Sequence, residues 1–256
     1  MSRFVTAEPR RSTLRDAQMF SYLKFLEDVA ASTARGVPLV IKGKGSRGGI
    51  TLAPSVDPPA WWDERPEALL HPAPWRNLTP RLQMIFHQRA LERRGHCLAF
   101  TLHLSPKVIH AAQNADPSFI DYMRRRIARH RNSELGRKVD FWFTAERQKG
   151  RPHIHGAAGI CKVEQKQART AFNQAIGKEP GSGNQVVIKP IYDGDGWAGY
   201  GAKDIHRHWE ITGNFGRGHT VSRDLNAVAR TLYETACRQV IRFRNLRSRG
   251  PHLHPW

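Results

Sequence analysis

His153 and His155 are separated only by Ile154, in a stretch that reads as a β-strand. Side chains alternate across a strand, so both imidazoles leave the same face, close enough to share one ion. Imidazole is a common ligand for divalent metals. Glu146 lies across the turn Gln148-Lys-Gly-Arg-Pro152, and its parity is opposite to that of Phe141 and Phe143, which belong in a core. Glu146 is therefore expected on the histidine face, where it offers a carboxylate. Two imidazoles and one carboxylate, with coordination positions left open, suit Mg2+ or Mn2+ acting on a phosphate substrate. His103 falls on the polar face of an earlier strand, placed behind the ligands or against the substrate. The chain has 13 histidines, and His206/His208 and His252/His254 repeat the spacing. Neither lies in an alternating strand, so both read as solvated or phosphate-facing. The plain alternative for His153 and His155 is a pair of polar strand-face residues.

The second chemical element is Trp197-Ala-Gly-Tyr-Gly-Ala-Lys-Asp204. Tyr200 and Lys203 share one face if this segment is helical. A phenolate is a covalent nucleophile, but a free phenol has a pKa of about 10. A neighbouring cation would favour its ionised form. The plain alternative is a tyrosine packed in the core beside a solvated lysine.

These groups need elements to hold them. Residues 96–104 alternate, with Leu98, Phe100, Leu102 and Leu104 on one face and Ala99, Thr101 and His103 on the other, the signature of a half-buried strand. A helix is expected over 117–135, strands over 139–146 and 153–160 joined as a hairpin, and a helix over 163–176 stopped by Gly177. A strand over 184–191, a turn at Asp193-Gly-Asp-Gly, a short helix over 197–206 and a long helix from Ser222 to about Arg242 follow. The order strand, helix, strand, strand, helix, strand, helix is that of an α+β fold. It implies an antiparallel sheet of four to five strands with helices on one face, ferredoxin-like or RRM-like, and the other face open for a site. Upstream, helices are expected over 16–34 and 80–94, flanking the basic glycine-rich stretch Lys42–Gly49 and a Pro- and Trp-rich connector containing Trp61, Trp62 and Trp75.

The net charge of +19, from 41 Lys and Arg against 22 Asp and Glu, disfavours an ordinary metabolic enzyme and points to a polyanionic partner. No apolar run is long enough to cross a bilayer, and no hydrophobic segment follows the N-terminus as a secretory signal requires. Cys97, Cys161 and Cys237 form neither a zinc pattern nor a disulfide framework, which suits a reducing cytoplasm and no membrane partner.

Three segments resemble, in order, the three motifs of the HUH endonucleases, in particular their single-tyrosine rolling-circle replication initiators. They are Phe100-Thr-Leu-His103, Pro152-His-Ile-His-Gly156 and Tyr200-Gly-Ala-Lys203. The resemblance spans residues 94–210. It implies an HUH nuclease domain over 94–215, an N-terminal, partly helical accessory region over 1–93, and a C-terminal helix with a basic tail over 216–256. It also implies metal-dependent, site-specific nicking and joining of single-stranded DNA. In that scheme His153, His155 and Glu146 hold Mg2+ or Mn2+, Tyr200 forms a 5′-phosphotyrosine, and Lys203 steadies the phosphate or the phenolate. The implied partners are single-stranded DNA at a plasmid or phage replication origin, hairpin-forming origins included, and host replication proteins. With one tyrosine in the motif, a full replication round calls for a second subunit or another nucleophile. A single-tyrosine HUH transposase and a non-catalytic RRM-like nucleic-acid-binding module are the alternatives.

For DNA contacts the expected residues are Thr101 and His103 on the first strand, Trp142 as a stacking platform, and Arg124, Arg125 and Arg129 on the 117–135 helix. Arg151 in the hairpin turn and Arg242 and Arg244 in the basic tail complete the set. Arginine contacts to phosphate make binding salt-dependent.

Overall fold

The computed structural model describes residues 74–148, 151–178, 181, 183–203, 205 and 218–248, with backbone alone at 39–41, 50–52, 147–148, 151 and 239–248. Met1–Thr79 with Glu234–Trp256 form one compact unit and Pro80–Tyr233 another. In the first unit, β1 (Leu39–Ile41) and β2 (Ile50–Leu52) pair antiparallel. The expected helix over 16–34, the glycine-rich stretch, Trp61 and Trp62 lie outside the described residues.

The second unit runs α1 (Pro80–Arg93), β3 (Leu98–His103), α2 (Pro106–Gln113), α3 (Phe119–Leu135), β4 (Phe141–Gln148), β5 (Arg151–Ala158), α4 (Gln165–Ile176), β6 (Val186–Pro190), α5 (Gly194–Gly201) and β7 (His219–Val221). The start of α6 (Arg223–Ser248) completes it. The sheet order is β6-β3-β5-β4-β7, and every neighbouring pair is antiparallel. β3 and β4 thus run the same way with β5 inserted between them, the split βαβ arrangement of a ferredoxin-like fold. β7 adds a fifth strand beside β4.

Strand alternation divides the sheet into two faces. Leu98, Phe100, Leu102, Phe141, Phe143, Ala145 and Ile154 point to one side, where they pack with Phe119, Met123 and Ile127 of α3 and Phe172 and Ile176 of α4. Full burial of each large side chain stabilises by roughly 1.5–3 kcal/mol, so this layer is the main core. Ser105 and Ser118 cap α2 and α3, accepting from the N–H of Val108 and Asp121. Gly177 ends α4 as expected, with φ at 66°.

The opposite face is not open along its whole length. α1 packs against α5 and β4, and α5 packs on β4 and β5. Gln88 of α1 accepts a hydrogen bond from Trp142 Nε1 at 2.9 Å. The Asp193-Gly-Asp-Gly segment is the first turn of α5, not a separate turn, because the Asp193 carboxylate caps the helix by accepting from Gly196 N–H. α6 continues to Ser248, so Arg242 and Arg244 lie within a helix.

Candidate active site

The ladders of β5 assemble the site. His153 stands opposite Glu146 on β4 and His103 on β3, and His155 stands opposite Thr144 and Thr101. Directly opposed residues share a face, so all six side chains project from the side away from the α3–α4 core. His153, His155, Glu146 and Thr144 are buried there, and His103 is exposed.

His153 Nε2 and His155 Nε2 are 2.9 Å apart. Glu146 Oε2 lies 2.9 Å from His155 Nε2 and 3.6 Å from His153 Nε2. Short as these approaches are, neither has hydrogen-bond direction, and Glu146 Oε2 is left as a buried oxygen without a hydrogen-bond partner. Three donor atoms thus converge on one point, within 4.8 Å of one another. A buried carboxylate oxygen in that state needs a partner of its own, Lys203 being taken up by Oε1, and a divalent cation on two imidazoles and a carboxylate would supply it. The donor set fits the ion.

The protonation state of His155 suits ligation. Burial, reinforced by His153, Lys203 and His103, pushes His155 down from 6.5 to about 3, so its ring is neutral at physiological pH. Thr101 Oγ1 is 2.9 Å from His155 Nδ1. With Nε2 turned to the converging donors, Nδ1–H donates to Thr101, which sets the tautomer and the ring plane.

The short helix α5 brings the second chemical element over this ligand set. Bidentate contacts of Arg89 to Asp195, 3.0 Å each, fasten α5 to α1. Trp197 Nε1–H donates to the carbonyl of Gly156 at 3.0 Å, fastening α5 to β5. Gly201 allows close approach to the sheet, since a Cβ there would already stand 3.4 Å from Thr144 Oγ1 and from the Trp142 ring. The Tyr200 ring lies edge-on to His155, centroids 5.2 Å apart, and runs nearly parallel to Trp197 at 5.9 Å. Lys203 Nζ sits 3.8 Å from the Tyr200 ring centroid and 2.7 Å from Glu146 Oε1. Partial burial works against the charge on Lys203, but its hydrogen bonds to Glu146 and Tyr200 outweigh it and raise its pKa.

The structure therefore brings His153, His155, Glu146, Tyr200 and Lys203 together, with His103 at the rim, its ring stacked on His153 at 5.5 Å. Other expected contacts fall elsewhere. Trp142 has the expected parity, but the α1–α5 layer leaves it 1% exposed with its N–H bonded to Gln88. It presents no ring face to a base. Thr101 is engaged with His155. Arg124, Arg125 and Arg129 are exposed on α3, on the side of the sheet opposite the histidines, where Arg124 pairs with Asp121 and Arg125 bonds the carbonyl of Asp116. Their neighbour Arg131 is buried, its guanidinium 4.3 Å above the Phe141 ring. The side chains of Arg151, Arg242 and Arg244, and the residues His206, His208, Trp209, His252 and His254, lie outside the described residues.

Sequence reasoning did not single out Trp197, Gln88 or the Arg89–Asp195 pair. Trp197 carried a readable signal, standing three residues before Tyr200 on one helix face. The other two depend on α1 packing against α5, which no local pattern specifies.

Among the described residues no helix is long and apolar enough to cross a membrane. No protein-family model matches the chain, and no curated protein matches it. Among solved structures, it is similar to the catalytic domain of the adeno-associated virus type 5 Rep protein, at 12% identity and a TM-score of 0.32. The match covers 57% of this chain and 97% of that one. A likeness this distant carries no functional weight.

Proposed function

We propose that this chain is a single-tyrosine HUH endonuclease that nicks and joins single-stranded DNA, as in the initiation of rolling-circle replication. The observation that carries the reading is the placement of Tyr200 and Lys203 directly over the convergent His153, His155 and Glu146 donors. An RRM-like binding module has no use for a buried carboxylate oxygen left without a hydrogen bond beside two imidazoles, one of them kept neutral by burial.

His153 Nε2, His155 Nε2 and Glu146 Oε2 would hold Mg2+ or Mn2+. Bound there, the ion would supply Lewis-acid polarisation of the scissile phosphodiester. Tyr200, 42% exposed, supplies the nucleophile to a strand lying across the sheet. Its oxygen attacks phosphorus as the phenolic proton passes to water. The bond from phosphorus to the 3′ oxygen breaks, and that oxygen takes a proton and leaves as a 3′-hydroxyl. The product is a 5′-phosphotyrosine, and the reverse reaction joins the ends. The ammonium of Lys203 beside the ring stabilises negative charge on the phenolic oxygen. Lys189, opposite Ala99 on the same face and exposed, is placed to meet the DNA backbone.

The test is incubation with a labelled pool of single-stranded oligonucleotides and Mn2+. Wild type is expected to form a covalent protein–DNA adduct that resists denaturing gel conditions. Tyr200→Phe should form none, and His153→Ala should lose Mn2+ binding and adduct together. An adduct that persists in Tyr200→Phe overturns the nucleophile assignment.

A further inference from the structure

Beside the ligand set, on the β6 side of the sheet, lies a cavity of about 360 Å3 that the chemistry above does not use. Its walls are Ala99, Pro190, Ile191, Tyr192, Trp197 and Tyr200, with Asp193 and Gly196 from the start of α5. Three of the residues are aromatic. Trp197 and Tyr200 are nearly parallel, and the hydrogen bond from Trp197 to Gly156 fixes that ring's orientation. Tyr192 is 95% exposed. A bare tyrosine at the mouth of an aromatic-lined pocket is a surface prepared for a planar apolar ligand.

We infer that this cavity is a nucleobase subsite, which receives one base next to the scissile phosphate and stacks it against Tyr192 and Trp197. The inference rests on the nuclease reading and names how that site grips its strand. Charge decides between base and phosphate. Among the described residues, the only ionisable wall group other than the tyrosines is the Asp193 carboxylate, whose Oδ1 caps α5; it repels phosphate, and its other oxygen can accept a hydrogen bond from a base N–H group. The backbone has its cations elsewhere on the same face, at Lys189 and Lys203. Tyr200 belongs to both places, one ring lining the cavity and also lying against His155. A base held in the cavity therefore brings its own phosphate to the nucleophile, which is the positioning that phosphoryl transfer needs.

The test measures binding without chemistry. Fluorescein-labelled single-stranded 20-mers are titrated in EDTA, by anisotropy, against wild type, Tyr192→Ala and Tyr192→Phe. Because Tyr192 is almost fully exposed, neither variant is expected to disturb folding. Loss of a stacking partner lowers affinity by about five- to a hundredfold, so Tyr192→Ala should fall in that range and Tyr192→Phe should match wild type. A 20-mer of abasic nucleotides, with the same backbone charge, should bind all three proteins equally. Equal binding of the normal 20-mer to Tyr192→Ala and wild type overturns the subsite, as does an equal loss on the abasic strand. The two readings fail separately. Adduct formation with normal Tyr192→Ala binding removes the subsite alone, and a Tyr192-dependent stacking signal without any adduct removes the nuclease alone.

Discussion

The ammonium of Lys203 lies 2.7 Å from Oε1 of Glu146, the carboxylate whose other oxygen faces both imidazoles. One side chain thus connects the ligand set to the cation beside the nucleophile. Lys203 bonds the Glu146 oxygen other than the one that faces the imidazoles, and it stands against the Tyr200 ring. It should therefore matter to the chemical step and not to metal capture. Lys203→Met is expected to slow single-turnover adduct formation by about 10²–10³-fold, the usual effect of losing one charge-stabilising group. Its Mn2+ affinity, read by calorimetry, should be equal to wild type or tighter. A parallel loss of Mn2+ binding would assign Lys203 to the metal centre instead.

Thr101 acts through His155. Removing its hydroxyl leaves Nδ1–H without the acceptor that holds the tautomer. Thr101→Val should weaken Mn2+ binding about 10–100-fold, whereas Thr101→Ser should keep it near wild type. Calorimetric titration of the metal alone reads this out, with no DNA present. Equal affinities for the two variants would return Thr101 to a purely packing role.

Gly156 admits no side chain. A Cβ there would collide with the Trp142 carbonyl, the Phe100 ring and Phe143 Cβ. Gly156→Ala should lower stability by about 1–3 kcal/mol or more, the range for overpacking a core. Urea unfolding followed by circular dichroism measures the change. Because Gly156 follows His155 directly, the variant should also lose the thermal upshift that Mn2+ gives wild type by binding only the folded state.

His87 links stability to pH. Burial, partly offset by its hydrogen bond to Asn226, lowers its pKa from 6.5 to about 4. Above pH 6.5 the ring is neutral in both folded and unfolded chains and has no effect. As pH falls from 6.5 to 4 the unfolded chain takes up a proton that the folded chain refuses, so stability drops across that window and levels off below it. The full loss is on the order of 3 kcal/mol. Chemical denaturation of wild type and His87→Gln at pH 7, 5.5 and 4 should show a shallower decline in the variant. Parallel declines would remove His87 from the acid response.

The ligand set was legible because strand parity is a local rule. His153, His155 and Glu146 obey a period of two and face one another across a single hairpin, so no long-range information is needed. The same rule placed Trp142 on the correct face but was silent on what covers that face. Its burial depends on α1, an element more than forty residues upstream in sequence from β4. The arginines of α3 show a similar limit, since a charge run specifies a solvated helix face and not which side of the sheet the helix occupies. α2 carried the ordinary start signal, Ser105 followed by Pro106, and was overlooked beside the stronger strand before it. β7, at three residues, is too short for any period to be read. At α5 the glycines of 193–196 suggested a turn, whereas the Asp193 cap makes them helical.

β5 is the middle strand of five, and both of its edges are paired along the length that carries the histidines. Neither histidine backbone can shift, nor its Cα–Cβ bond be re-aimed, without unzipping hydrogen bonds to two neighbours at once. The directions from which the donors approach are thereby settled during folding, and an incoming ion would need only side-chain rotations to complete its shell. An exchangeable metal can come and go at such a centre while the scaffold beneath it keeps its shape.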